Sequence, residues 1–161
     1  MDRLRIFTVG GTIDKIYFDA RSEYEVGEPQ IGDILRETAV GFSFAVTSLM
    51  RKDSLDMTDA DRALIRDAVH DCAERHVLIT HGTDTMTETA TALHGVSGKT
   101  IVLTGALNPA RFRGSDAIFN IGSAVIAVQI MQPGVYIVMN GRVFHAFHVR
   151  KNRDKNRFED V

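Results

Sequence analysis

The chain has 161 residues, of which 44% are hydrophobic and 25% charged, with a formal net charge of −2. That length and balance fit one ordered domain with a sizeable core, and they exclude disorder and any global attraction to nucleic acid or anionic lipid. The single cysteine, Cys72, excludes an intrachain disulfide and reads as a small core residue in a reducing compartment.

Leu4 to Val9 is a short apolar run and predicts a buried strand. Gly10 and Gly11 end it, and paired glycines allow positive φ and close backbone approach. Thr12 follows, either as a helix N-cap in a plain turn or as a hydroxyl presented at a strand end. Residues 14–30 keep no period, although Tyr17 and Phe18 can start a short strand or hairpin. A loop of that length is typical of a lid, and Tyr24 is its residue of most interest, either surface packing or a lid group that donates to or accepts from a nucleophile. Gln30 to Thr38 predicts a short helix, Phe42 to Val46 a strand, and Lys52 to Met57 a polar loop. Thr58 and Asp61 form a capping-box pattern for a helix reaching Arg75, with Leu64, Ile65, Ala68, Val69 and Cys72 at helical spacing.

Val77 to Thr80 predicts the next strand, and His81-Gly82-Thr83-Asp84 follows it directly. A strand, a glycine turn and a helix start place polar residues at the carboxyl edge of a sheet, where open α/β folds bind ligands. Thr87 to Leu93 predicts a helix, and Thr100 to Thr104 a strand closed by Gly105 and Ala106. Leu107 to Gly114 reads as a loop. Ser115 to Gln129 is helical and apolar almost all round, so it is buried on more than one face, and an oligomer contact is one way to cover the outer one. Gly134 to Met139 and Arg142 to Val149 predict strands around Asn140-Gly141, a type I′ hairpin signal. Arg150 to Val161 is charged and reads as a partly mobile, solvated tail, with Lys151 set apart from it. Repeated βα units predict a three-layer α/β domain over residues 1–161: a parallel sheet with a mixed edge, helices on both faces and a C-terminal β-hairpin.

Residues 1–7 hold no apolar stretch of signal-peptide length, and the region 118–128 is too short to span a bilayer. A cytoplasmic location and no membrane partner are therefore expected. His145 and His148, three apart in the expected strand, should point to opposite faces, and no third ligand accompanies them, so no metal site is expected.

A hydroxyl becomes nucleophilic only when a neighbour takes its proton. Thr12, and Thr83 beside Asp84, supply hydroxyls; Tyr24 and Lys151 supply groups that can move the proton; Gly82, Thr83 and Ala106 can offer backbone groups to an oxyanion. No Gly-x-Ser-x-Gly elbow is present.

At this point the motifs resemble a family. Thr8-Val9-Gly10-Gly11-Thr12-Ile13 resembles the first signature of bacterial L-asparaginases, and His81-Gly82-Thr83-Asp84-Thr85-Met86-Thr87-Glu88-Thr89-Ala90 resembles the longer and more specific second one. Ser22 to Gly27 looks like the family's lid with its tyrosine, and Ser54-Leu55-Asp56-Met57 like its substrate-binding loop. Leu103 to Pro109, Ser115 to Asn120, Val138 to Asn140 and Val149 to Lys151 follow in the family's order. The resemblance implies hydrolysis of L-asparagine to aspartate and ammonia without cofactor or metal. Thr12 would attack the side-chain amide, with Tyr24 closing over it. Thr83, Asp84 and Lys151 would form a second group that activates Thr83 or the hydrolytic water. Gly11, Ser54, Gly82, Thr83, Asp84 and Ala106 would bind the substrate, Ser54 its α-carboxylate and Asp84 its α-amino group. His81 would be structural.

Two departures stand out. Leu55 occupies a position where the family carries glutamine, and the family's usual second, smaller domain is absent from the 161 residues. Both imply lost contacts to the α-amino group and weak substrate affinity. A non-catalytic amino-acid-binding or regulatory domain, and an amidase for another small amide, are the alternatives. The resemblance also implies a homodimer or homotetramer with no nucleic-acid partner.

Overall fold

The computed structural model describes Met1 and residues 3–161. Its centre is built from apolar runs that have no polar face. Leu4–Gly10 (β1), His76–Thr80 (β5), Thr100–Thr104 (β6) and Gly134–Met139 (β7) are buried along nearly their whole length. Strands buried on both faces belong in a parallel sheet covered by helices on each side. They form one here, in the order β4-β1-β5-β6-β7-β8, with Phe44–Lys52 (β4) at one edge and Arg142–His145 (β8) antiparallel at the other.

Alternate side chains of each strand enter two cores. Val77, Ile79, Ile101, Leu103 and Ile137 pack with Ile65 and Val69 of Asp59–Asp71 (α2) and with Met86 and Ala90 of Met86–Ala92 (α3). Leu4, Ile6, Leu78, Val102 and Val138 pack on the other face against Ile31 and Leu35 of Ile31–Glu37 (α1) and Ile121, Ala124 and Val128 of Ala117–Ile130 (α4). The expected three-layer α/β architecture is thus the observed one. The capping box forms as expected, with Thr58 accepting from the Asp61 N–H and Asp61 from the Thr58 N–H. Asn140 and Gly141 both take positive φ, 51° and 78°, as a type I′ turn between β7 and β8 requires.

Several expectations change. The hairpin that Tyr17 and Phe18 could start does form, and it takes up most of the expected loop: Lys15–Phe18 (β2) and Glu23–Val26 (β3) pair antiparallel, with Tyr24 opposite Tyr17. Strand β4 runs on to Lys52, well past Val46, because an edge strand exposes residues such as Thr47 and Ser48 and so loses its apolar alternation. Helix α2 stops at Asp71 rather than Arg75; the Lys99 ammonium holds the Cys72 and Glu74 carbonyls, and His76 must already lie beside Leu4 in the sheet.

The charged C-terminal stretch is not a mobile tail. Val149–Asn152 (β9) and Arg157–Asp160 (β10) pair as a second hairpin. Its basic side chains gather around Glu159, which accepts from Asn152 and Arg157; those two contacts hold its carboxyl down at about 2. The strand after Asn140-Gly141 ends at His145 instead of Val149, and the His148 N–H closes a turn onto the His145 carbonyl. The two imidazoles are therefore neighbours, with ring centres 5.3 Å apart, because a turn rather than a strand separates them. No group of three or more His, Cys, Asp or Glu placed to hold a metal occurs among the described residues. No helix of these residues is long and apolar enough to cross a membrane.

Candidate active site

Strand order explains where the site lies. From β1 the chain passes outward to β4 and then returns to β5 on the other flank of β1. The carboxyl ends of β1 and β5 therefore open onto a switch point, the crevice where open α/β sheets bind ligands. Gly10-Gly11-Thr12 leaves one of those ends and His81-Gly82-Thr83 the other.

The two ends touch. Gly11 has φ 89°, and a Cβ there would collide with the Gly82 backbone. A Cβ on Gly82 would lie 2.6 Å from the Ser54 Oγ. Three segments far apart in sequence thus meet through two glycines, and side chains at either one would force them apart. Ser54 is buried in a 3-10 turn, Ser54–Asp56, and its carbonyl accepts from the Thr85 hydroxyl at 2.7 Å. Leu55, next to it, is 62% exposed.

Thr83 has a direct base candidate. The Lys151 Nζ lies 2.6 Å from its Oγ1 and 3.8 Å from the Asp84 Oδ1. The Lys151 side chain is only 5% exposed, and the Phe158 ring centre lies 5.5 Å from its Nζ. Burial pushes the ammonium below its ordinary value, Asp84 opposes that shift, and Arg153 adds to it. A lysine so placed is neutral more often than a solvated one and can accept a hydroxyl proton. Arg153 also donates to the Asp84 carbonyl at 3.4 Å.

Thr12 and Tyr24 share a hollow of about 270 Å³ with Lys15, Pro109 and Phe112. Tyr24 is 52% exposed and makes edge contacts with Tyr17 and Phe112. Two of its walls, Lys15 and Phe112, carry no motif and were not flagged by the sequence, whereas Pro109 ends the Leu103 to Pro109 stretch that resembles the family.

Ala106 is buried in the core beside α4, so only its backbone can face a ligand. Its loop is fixed by buried Asn120, whose amide donates to the Gly105 carbonyl and whose carbonyl accepts the Asn140 N–H. Asp116 accepts from the Leu107 and Asn108 N–H groups. His81 is fully buried. Its Nδ1 faces the Gly82 carbonyl at 2.7 Å and must donate to it, so Nε2 accepts from the Thr89 hydroxyl at 2.7 Å. Burial holds this imidazole neutral, with its pKa pushed down to about 4.

A family model described as "Asparaginase, N-terminal" matches residues 3–159. The chain belongs to the asparaginase family. Across 129 residues, 76% of this chain and 38% of the relative, it is 33% identical to a glutaminase-asparaginase of Acinetobacter glutaminasificans. Over 81 residues, 49% of this chain and 19% of the relative, it is 43% identical to one polypeptide of a glutamyl-tRNA(Gln) amidotransferase from Methanococcus vannielii. The solved thermostable L-asparaginase from Thermococcus kodakarensis superimposes with a TM-score of 0.84 at 25% identity, covering 99% of this chain and 51% of that one. This asparaginase domain therefore spans about half the length of that structure.

Proposed function

We propose that the domain hydrolyses the side-chain amide of L-asparagine to aspartate and ammonia through a threonine ester. The observation that carries this reading is the 2.6 Å contact between the Lys151 amine and the Thr83 hydroxyl, beside Asp84 and at the strand end that touches Gly11. In the proposed sequence the Thr12 Oγ attacks the amide carbon, the C–N bond breaks and ammonia leaves with the hydroxyl proton. Water, activated by the Thr83–Lys151–Asp84 group, then attacks the ester and releases aspartate. Tyr24 closes over Thr12 as the β2–β3 hairpin swings inward. Ser54 holds the α-carboxylate, Asp84 the α-amino group, and the Gly11, Gly82, Thr83 and Ala106 backbones line the pocket.

Leu55 favours a second reading of the substrate. Its exposed side chain beside Ser54 makes no hydrogen bond to an ammonium group. Free asparagine therefore binds weakly, with KM raised about 10–100-fold by the usual size of a lost contact to a charged group. An amide whose α-nitrogen is acylated or in a peptide loses nothing at Leu55. Ammonia release at high millimolar asparagine, compared with glutamine and with N-acyl and peptide amides, separates the two substrates. Turnover should collapse in Thr12→Ala and in Lys151→Met. Undiminished turnover in both variants refutes the site, and aspartate binding without turnover of any amide leaves a binding domain instead.

A further inference from the structure

Lys15 opens β2, just after the turn that carries Thr12. Its ammonium donates to the Asp53 Oδ2 at 2.8 Å. Asp53 is the N-cap of the Ser54–Asp56 turn, and its other oxygen, Oδ1, accepts from the Leu55 N–H at 3.1 Å. One carboxylate therefore ties the Thr12 segment to the turn that presents Ser54. The Lys15 hydrogen bond is the main reason its pKa lies below the ordinary carboxylate range, so both oxygens remain acceptors near neutral pH.

The far side of the turn is already fixed. The Thr85 hydroxyl holds the Ser54 carbonyl, and the Gly82 backbone lies against the Ser54 Oγ. On the near side, toward Thr12, the Gly11 N–H donates to the Lys52 carbonyl, and Asp53 supplies the side-chain tie to the turn itself. Lys15 also lines the hollow it shares with Thr12 and Tyr24. Nothing in the sequence marks this pair, since its members stand 38 residues apart.

We propose that Lys15 and Asp53 are a positioning pair that sets the Ser54 hydroxyl at a fixed distance from Thr12. The two ends of the substrate, its carboxylate on Ser54 and its amide on Thr12, are then seated together, so the pair acts on binding. This rests on the asparagine reading. Both side chains are a quarter to a third exposed, and an ion pair so exposed adds little to stability. Its effect is geometric, because small displacements of a substrate-holding group cost turnover or affinity steeply.

The test uses Lys15→Met, Lys15→Arg, Asp53→Ala and the Lys15→Met/Asp53→Ala double variant. Lys15→Met is expected to raise KM for asparagine about 10-fold with kcat within about twofold, as loss of substrate seating does. Lys15→Arg should recover most of that loss. The double variant should have a KM no higher than that of Asp53→Ala alone, the non-additivity expected of two residues acting as one. Amide hydrogen exchange over Leu55 to Met57 gives a readout that needs no turnover. It should speed up in Lys15→Met and return toward the parent rate in Lys15→Arg. Unchanged exchange in Lys15→Met overturns the pair, as does an unchanged KM in an active parent. A parent inactive on every amide refutes the asparagine reading, and the exchange result then decides whether the pair holds the turn.

Discussion

At the scale of single residues, burial sets the chemistry. Lys151 can act as a base only when neutral, and desolvation lowers its pKa from 10.5. The kcat for amide hydrolysis, where hydrolysis of the threonine ester limits it, should therefore rise with pH and level off below the pH at which a solvated lysine titrates. Lys151→Met should remove that limb and lower the rate about 10²–10⁴-fold, the range for loss of a positioned proton carrier. A pH–rate profile of both proteins checks this.

Asp14 is a separate case. It is buried, its Oδ1 accepts from the Gln30 N–H and its Oδ2 has no partner, so burial raises its pKa to about 6. A carboxyl whose folded pKa is raised contributes stability below its unfolded value, 3.8, and that contribution is lost as pH climbs through about 6. His81 has the opposite sign: its folded pKa is lowered from 6.5 to about 4, and stability is lost as pH falls between those values. Over the same interval the two offset each other. Asp14→Asn should unmask the His81 slope, adding up to about 3 kcal/mol of stability at pH 7 relative to pH 4 compared with the parent. Denaturant unfolding at several pH values measures it.

At the scale of elements, the two hairpins outside the main sheet hold Tyr24 and Lys151, two residues of the proposed site. The β2–β3 hairpin is anchored at its base, where the Gly27 N–H donates to the Asp14 carbonyl and the Gln30 N–H to the Asp14 carboxyl. Its tip, around Tyr24, is exposed, which suits a lid. The β9–β10 hairpin is a platform for Lys151, which pairs with Phe158 across the ladder and lies near its ring. Phe158 itself is buried beside Phe144. Phe158→Ala should cost about 3 kcal/mol, as large-to-small core changes do, and should lower turnover along with stability. Thermal unfolding and ammonia release on the same sample test both effects.

At the scale of the whole molecule, α4 has one face in the core and another in solvent. Ile118, Phe119, Ile126 and Ile130 are all more than half exposed. Such a stripe fits self-association, the homodimer or homotetramer expected of the family resemblance. Ile126→Asp combined with Phe119→Asp should shift sedimentation to a monomer; a parent already monomeric at working concentration contradicts the expectation.

Much of this was legible in the residues alone. The sequence marks the layers, because apolar runs at Val77, Ile101 and Val135 have no polar face and must be covered twice. It also marked the glycines at the ends of β1 and β5, since Gly10-Gly11 closes the first run and Gly82 comes directly after His81, which closes the second. It missed the β9–β10 hairpin, because residues 150–160 read as a solvated charge run until Glu159 is seen gathering their cations. His145 and His148 converge although alternation predicts a strand through them, because the chain turns between the two. The contacts that make a site were decided only by the tertiary structure. Lys151 reaches Thr83 across 68 residues and Lys15 reaches Asp53 across 38. Local propensity and period record what a segment buries, whereas a proton's route or a serine's placement depends on which distant segments the sheet order brings together.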